Sequence, residues 1–135
     1  MVNLLCPLCL DGDESTDHLF NTCRVVQQVR DQCDRWIGKV GVKHQATPVN
    51  FQSFYLLDHK QSVNKAWKGV WVAIVSEVWS HRNKVVFKGG VVDADEIFSL
   101  ALLKSWLWAK YKIKRTSFSY SDWTLSPMLC LQSLA

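Results

Sequence analysis

The sequence predicts a mainly α-helical protein in which a small motif of three cysteines and one histidine precedes a Trp-rich bundle of three to four helices. Two observations support this fold class. The motif lies within the first 23 residues, and apolar residues recur at helical spacing through much of the remaining chain. With 135 residues, 48% of them apolar, the chain can form one domain with a buried core. Most of the seven tryptophans are expected to anchor that core.

Four segments differ in pattern, and we expect them to belong to one domain. They are the Cys/His motif with a first helix (1–40), a loop (41–61), a pair of helices (62–115) and an irregular tail (116–135). Pro48 and the lack of a clear period predict the loop. The tail is aromatic, but its aromatic residues follow no helical spacing.

Apolar periodicity predicts the first two helices. The apolar face of the first helix comprises Val26, Val29, Cys33, Trp36 and Ile37. The second helix has the clearest stripe in the chain, formed by Trp67, Val70, Trp71, Ile74, Val75, Val78 and Trp79. Ser62 is expected to cap its start, and Gly89 follows its end. Gly69 lies inside this helix, which predicts close packing against a neighbour.

The last helix is predicted to begin at a capping box formed by Asp93 and Glu96. Its main apolar stripe consists of Ile97, Leu100, Ala101, Leu107, Trp108 and Tyr111. Further apolar residues widen that stripe over much of the circumference. We therefore expect this helix to be buried between partners.

The Cys/His motif has the spacing of a metal site. The pattern is C-x2-C-x8-H-x4-C, formed by Cys6, Cys9, His18 and Cys23. A two-residue gap lets a tight turn direct two thiolates at one ion, and structural zinc takes four sulfur and nitrogen ligands. We therefore predict bound Zn²⁺ with a structural role, since four protein ligands leave no position open for catalysis.

Two other interpretations of the motif remain open. The thiols could be buried without a metal, with the histidine on the surface by chance, or Cys6 and Cys9 could form a redox dithiol. The dithiol fits less well, because no strand–helix pattern of the thioredoxin type surrounds it. Cys33, on the apolar face of its helix, is expected to be a buried free thiol.

The charge is distributed unevenly along the chain. Residues 1–23 carry four acids and no Lys or Arg, a charge of −4, whereas residues 24–135 carry all 16 bases and the other 8 acids, a charge of +8. A basic body suits an anionic partner. No signal peptide or membrane-spanning run is visible, so we expect an intracellular protein that is neither secreted nor bound to a membrane.

Longer runs of residues extend the motif into a family pattern. They are Cys6-Pro-Leu-Cys9, Ser-Thr-Asp-His18-Leu-Phe-Asn-Thr-Cys23, Trp79-Ser-His-Arg82-Asn83-Lys-Val-Val-Phe87 and Ser105-Trp106-Leu107-Trp108. Together they resemble the zinc-binding domain of plant reverse transcriptases of the non-LTR (LINE-like) retrotransposon class. The likeness is strongest at 6–36 and 67–111. It implies the same four zinc ligands and a module, downstream of a reverse-transcriptase domain, that helps to hold nucleic acid.

The chain departs from that family pattern at three points. Leu10 follows the second cysteine, where the family usually has glycine or another small residue. Arg24 follows the last ligand, where proline is common. The sequence also lacks the Tyr-x-Asp-Asp segment of the polymerase. We therefore expect a fragment of a mobile-element protein, with a reverse transcriptase body as a further partner, and nuclear residence would follow from this interpretation alone.

Three functional hypotheses follow from these patterns. Catalysis is the poorest, because the acids do not form a two-metal site and no phosphate loop or nucleophile motif is present; no small-molecule substrate is expected. Weak, sequence-tolerant binding of RNA or DNA is the best. Its candidate residues are Arg82 of the second helix and Lys104, Lys110, Lys112, Lys114 and Arg115. All but Arg82 alternate with aromatic residues near the end of the last helix. The alternative is a helical protein–protein interaction module.

The basic residues also have a simpler explanation, in which the lysines solvate a helix end and the rings belong to the core. At 100° per residue these bases do not share one face. Arg82 is a separate case, because it falls inside the apolar stripe of its helix. Its charge is therefore expected to meet a carboxylate, a helix-end carbonyl or a phosphate.

Overall fold

The structure, a computed structural model, describes residues 4–38, 47–54, 56, 60–113 and 116–134. Within these ranges the chain forms α1 (Arg24–Ile37), α2 (Thr47–Ser53), α3 (Gln61–Lys88), α4 (Ala94–Lys112), α5 (Tyr120–Leu125) and α6 (Pro127–Gln132). A π-helical turn, His18–Thr22, precedes α1. The β-type pairing in the described ranges is one isolated antiparallel bridge between Leu5 and Asp13. The predicted fold class, a Cys/His motif followed by a helical bundle, is confirmed.

The antiparallel pair α3 and α4 forms the centre of the molecule. The two helices approach closely at Gly69, where an added Cβ would lie only 2.7 Å from Cε3 of Trp108. The predicted role of Gly69 is therefore confirmed. Helix α3 ends at Gly89, whose φ of +65° is a left-handed conformation that glycine adopts without strain. Ser62 does not cap its start as predicted, because its hydroxyl instead donates to the Leu134 carbonyl at 2.7 Å.

Helix α1 completes the core through Trp36. Its ring stacks on Trp67 of α3 and makes edge contacts with Phe98 of α4 and Trp123 of α5. The Trp36 indole nitrogen donates to the Trp123 carbonyl at 3.2 Å. One tryptophan thus joins four helices, and α1 belongs to the same core as α3 and α4.

The prediction of a loop over 41–61 was wrong for the residues of α2. Pro48 is the second residue of this helix, where proline is tolerated because the first turn leaves its N–H groups unpaired anyway. Asn50 of α2 accepts a hydrogen bond from the Trp71 indole at 2.7 Å, and the Phe51 ring packs edge-on against Trp71. Residues 41–46, 55 and 57–59 of the predicted loop lie outside the described residues.

The prediction of an irregular tail was also wrong, because α5 and α6 occupy most of it. Ser119 and Asp122 form a capping box at the start of α5, and Pro127 stands in the first turn of α6. Trp123 is almost fully buried, and its indole donates to Ser105 Oγ at 3.0 Å. These helices are too short to show an apolar period, so tertiary packing rather than periodicity stabilises them.

The buried face of α4 differs from the predicted stripe. The residues of α4 that are buried are Ile97, Ala101, Ser105 and Ala109. Leu100, Leu107 and Tyr111 are exposed instead. The small side chains of the buried face let the neighbouring helices approach closely. The expectation that α4 is buried on most of its circumference was therefore wrong, and the helix presents an apolar face to solvent.

Candidate metal centre

The first two cysteines lie in a short turn, which we call the knuckle (residues 4–15). The Cys6 N–H donates to the Gly12 carbonyl at 2.7 Å, and the Leu10 N–H donates to the Cys6 carbonyl at 2.8 Å. Leu10 has a φ of +56°, the left-handed conformation in which glycine is preferred. Its side chain is exposed. The knuckle therefore forms with leucine at the position where the resembling family has a small residue.

The other two ligands are placed by the π-helical turn. The His18 N–H donates to Ser15 Oγ at 3.1 Å at the start of this turn, and the Cys23 N–H donates to the His18 carbonyl at 2.8 Å. The wider i to i+5 turn brings both side chains toward the knuckle. Nδ1 of His18 lies 3.0 Å from Thr22 Oγ1. With the proton on Nδ1, Nε2 keeps its lone pair for a metal.

The structure brings the four predicted ligand atoms together. The sulfur atoms of Cys6, Cys9 and Cys23 and one ring nitrogen of His18 all lie within 4.8 Å of one another. The Cys6 and Cys23 sulfurs are 3.8 Å apart, and Cys9 Sγ lies 3.3 Å from His18 Nε2. Zn–S bonds of about 2.3 Å at a tetrahedral angle place two sulfurs about 3.7 Å apart. The cluster therefore has the dimensions of a metal site with tetrahedral ligands.

The electrostatics of the cluster favour a bound cation. The three thiols are unoxidised and buried. Burial opposes ionisation of Cys9, but hydrogen bonds from the Asp11 backbone, His18 and the Gly12 backbone outweigh it and lower the pKa of this thiol to about 6. Burial, aided by the neighbouring Cys6 and Cys9 charges, raises the pKa of Cys23 to about 12. A divalent cation would remove this conflict by stabilising all the thiolates at once.

Two arginines attach the Cys/His cluster to the helices. Arg82 of α3 forms a bidentate ion pair with Glu14 of the knuckle, at 2.6 and 3.0 Å, and lies over the Trp79 ring. Glu14 raises the pKa of Arg82. Of the three partners expected for Arg82, the structure supplies a carboxylate. Arg24 donates to the Cys9 carbonyl at 3.2 Å.

A third arginine, Arg30, contacts the π-helical turn from α1. Arg30 of α1 is buried, donates to the Phe20 carbonyl at 3.0 Å and lies over the Trp71 ring. Burial lowers its pKa to about 10. The same turn holds α2, because Asp17 Oδ1 accepts hydrogen bonds from the N–H and hydroxyl of Thr47 at 2.8 and 2.9 Å.

Sequence reasoning missed the residues that support the cluster. Thr22 orients the histidine, Gly12 makes room for its ring, and Glu14 joins the knuckle to α3. A Cβ on Gly12 would lie 2.9 Å from Cε1 of His18. The i to i+4 spacing of His18 and Thr22 is a local signal that sequence reasoning could have used, whereas the pairing of Glu14 with Arg82 spans 68 residues and has no local signal.

The predicted nucleic-acid residues are not gathered at one place. Lys104 pairs with Glu77 at 3.0 Å and donates to Ser76. Lys110 and Lys112 are exposed at the C-terminal end of α4, beside Trp106 and the exposed Tyr111. Arg82 lies toward the opposite end of α4, since Lys84 pairs with Glu96 there. Lys114 and Arg115 lie outside the described residues.

Comparisons with protein-family models, curated proteins and solved structures give no match for this chain. Among the described residues, no helix combines the length and the apolar character needed to cross a membrane.

Proposed function

We propose that this chain is a structural-zinc module that binds single-stranded nucleic acid weakly and without sequence preference, and that it has no catalytic activity of its own. The proposal rests on the grouping of Cys6, Cys9, His18 and Cys23, whose ligand atoms lie within 4.8 Å of one another. Three thiolates and one imidazole are a donor set that zinc prefers, and they fill a tetrahedral shell. Zinc would fix the knuckle against the π-helical turn and supply folding free energy there.

The nucleic-acid part of the proposal rests on the resemblance to the reverse transcriptase zinc-binding domain and on the end of α4. Lys110 and Lys112 flank the ring of Tyr111, which is 83% exposed. Lysines in such a position can hold phosphates while the ring stacks on a base. Arg82 and Lys104 are already paired with Glu14 and Glu77, so they contribute less than the sequence suggested.

The zinc proposal is tested by native mass spectrometry of the purified chain. We expect one zinc ion per chain, and we expect Cys9→Ser to lose it because the tetrahedral shell is broken. Cys33→Ser is the matched control, since Cys33 is also a buried thiol but lies outside the cluster. A chain that keeps its fold with no bound metal would contradict the proposal.

The nucleic-acid proposal is tested by fluorescence anisotropy with single-stranded RNA and DNA at several salt concentrations. The variant Lys110→Ser/Lys112→Ser should weaken binding to all sequences alike and reduce the salt slope by roughly 1.4, since each phosphate contact to a single strand releases about 0.7 counterions. Lys60→Ser/Lys65→Ser, two exposed lysines at the start of α3 and outside α4, is the control. Absence of binding at ~100 µM protein, within the usual non-specific range, would exclude this role.

The second candidate is a helical protein–protein interaction module, and one observation favours it. Helix α4 exposes Leu100, Leu103 and Leu107 on one face. Exposed leucines in a row are typical of a surface that another helix covers. Binding through such a face should depend little on salt, which separates it from the nucleic-acid role.

A further inference from the structure

One face of α4 has the spacing of a helix-packing seam. Leu100, Leu103 and Leu107 are 38%, 39% and 52% exposed, although each is a large apolar side chain. They are separated by three and four residues, the alternation that keeps side chains in line along a helix packed against another helix. Lone exposed leucines are common on protein surfaces, but a row at this spacing is not.

The same alternation continues to a charged residue at each end. Glu96 precedes Leu100 by four residues, and Lys110 follows Leu107 by three. We call these five residues the α4 seam, and it has an acidic end, an apolar centre and a basic end. Both charged groups are accessible, since Glu96 makes only a half-exposed pair with Lys84 at 3.2 Å and Lys110 is exposed.

We propose that the α4 seam is a dimer interface that binds the seam of a second copy of this chain in antiparallel orientation. A two-fold axis beside Leu103 would place the two copies of this leucine together and Leu100 of each copy near Leu107 of the other. Glu96 of each copy would then lie near Lys110 of the other. Antiparallel helices also align their dipoles favourably.

Charge complementarity selects the second copy and its orientation. A parallel pair would place Glu96 against Glu96 and Lys110 against Lys110, which is unfavourable. A uniformly acidic partner would meet Glu96, and a nucleic acid would find no donor or ring in the leucine centre. Lys104, at the edge of the seam, pairs with Glu77, whose carboxylate is more buried than that of Glu96. The seam is therefore complementary to itself.

The dimer is expected to be weak and to depend on protein concentration. The seam runs over 15 residues from Glu96 to Lys110, and its two ends are about 21 Å apart at the rise of an α-helix. A seam of this length buries few apolar side chains, so we expect the dimer to dissociate when the protein is diluted. Dimerisation through the α4 seam requires neither bound nucleic acid nor the proposed function. The dimer can therefore be absent while the proposed function holds.

Sedimentation velocity of the full metal-loaded chain over about 1 to 500 µM, the range where weak dimers populate, tests the interface. We expect the weight-average mass to rise from monomer toward dimer. Leu103→Glu should abolish that rise, because it places two carboxylates beside the two-fold axis. Leu125→Glu is the matched control, since Leu125 is an exposed leucine of α5 outside the seam. Circular dichroism checks that both variants keep the helical fold.

Charge exchange tests the antiparallel orientation. Glu96→Lys and Lys110→Glu should each weaken the dimer roughly tenfold, because each creates two like-charge contacts. The double variant Glu96→Lys/Lys110→Glu should restore it, as antiparallel pairing then joins opposite charges again. Lys110→Glu is the cleaner single change, because Glu96 also pairs with Lys84.

Three results would overturn the inference. The first is a chain that remains monomeric throughout the concentration range. The second is a dimer that Leu103→Glu does not weaken more than Leu125→Glu, which would place the interface elsewhere. The third is a double variant no stronger than the single ones, which would reject the antiparallel pairing. If the chain is monomeric and Leu103→Glu instead abolishes nucleic-acid binding, the seam belongs to that ligand.

Discussion

At the scale of single residues, Gly69 sets the distance between α3 and α4. The ring of Trp108 fills the space that a side chain at position 69 would need. In an exposed helix interior, Gly→Ala stabilises by about 1 kcal/mol. At position 69 the added methyl group must displace the packed indole of Trp108. The gain in helix propensity is therefore opposed by a packing cost.

We predict that Gly69→Ala lowers the free energy of unfolding by about 1 kcal/mol or more, because overpacking exceeds the gain in helix propensity. Urea denaturation measures the change. Ser80→Ala, an exposed position on the same helix, is the control and should change little. A stabilised Gly69→Ala variant would show that Trp108 moves aside at no cost.

Arg82 is a charged residue whose partner only the folded chain reveals. A charged residue on the apolar stripe of a helix must find a partner, and sequence reasoning could name only the kinds of partner available. The structure selects Glu14, a residue of the knuckle, and adds the Trp79 ring as a second contact. The charge thus joins the Cys/His cluster to the bundle rather than reaching toward a phosphate.

At the scale of helices, the six-residue helix α5 makes several contacts with the core. Trp123 stacks on Phe118, makes an edge contact with Trp36 and donates a hydrogen bond to Ser105. Its side chain therefore closes one end of the core. The segment predicted to be an irregular tail is part of the folded unit.

Replacement of Trp123 by alanine is expected to destabilise the chain by about 3 to 5 kcal/mol, the usual cost of removing a buried aromatic side chain. The change also leaves Ser105 without its donor. Thermal denaturation followed by circular dichroism gives the magnitude, and Leu125→Ala on the same helix is the exposed control. Equal effects of the two changes would mean that α5 is not docked on the core.

At the scale of the whole molecule, the Cys/His cluster is continuous with the buried core. Asp17, just before the π-helical turn, holds α2, and Glu14 binds α3 through Arg82. Helix α1 contacts the cluster region through Arg24 and Arg30, and it also packs through Trp36 against three other helices. The metal-dependent part is therefore expected to be smaller than residues 1–40, because α1 has its own apolar contacts.

We expect removal of the metal by a chelator to increase amide hydrogen exchange in residues 4–23 and in α2, while α1, α3 and α4 remain protected. Zinc can supply about 10 kcal/mol or more to a motif that cannot fold alone, whereas the bundle buries its own apolar area. Mass spectrometry of peptides from the exchanged protein locates the change. Loss of protection in all helices would show that the Cys/His cluster and the helical core unfold as one cooperative unit.

The sequence by itself determined the Cys/His cluster and the principal helices. C-x2-C-x8-H-x4-C is a local pattern, and four ligands within 18 residues need only short turns to meet at one point. Helices α1, α3 and α4 are long enough for their apolar residues to repeat several times, so periodicity reveals them. The end of α3 and the start of α4 were also predicted from local signals at Gly89 and Asp93.

Only the tertiary structure decided which face of α4 is buried and which partners the charged residues have. Helix α4 is apolar almost all round, so no period distinguishes Ala101 and Ser105, which are buried, from Leu100 and Leu107, which are not. Close packing against α3 favours small side chains, and the larger leucines remain outside. The short helices α2 and α5 and the pairing of Arg82 with Glu14 depend likewise on contacts between distant residues, which local sequence does not encode.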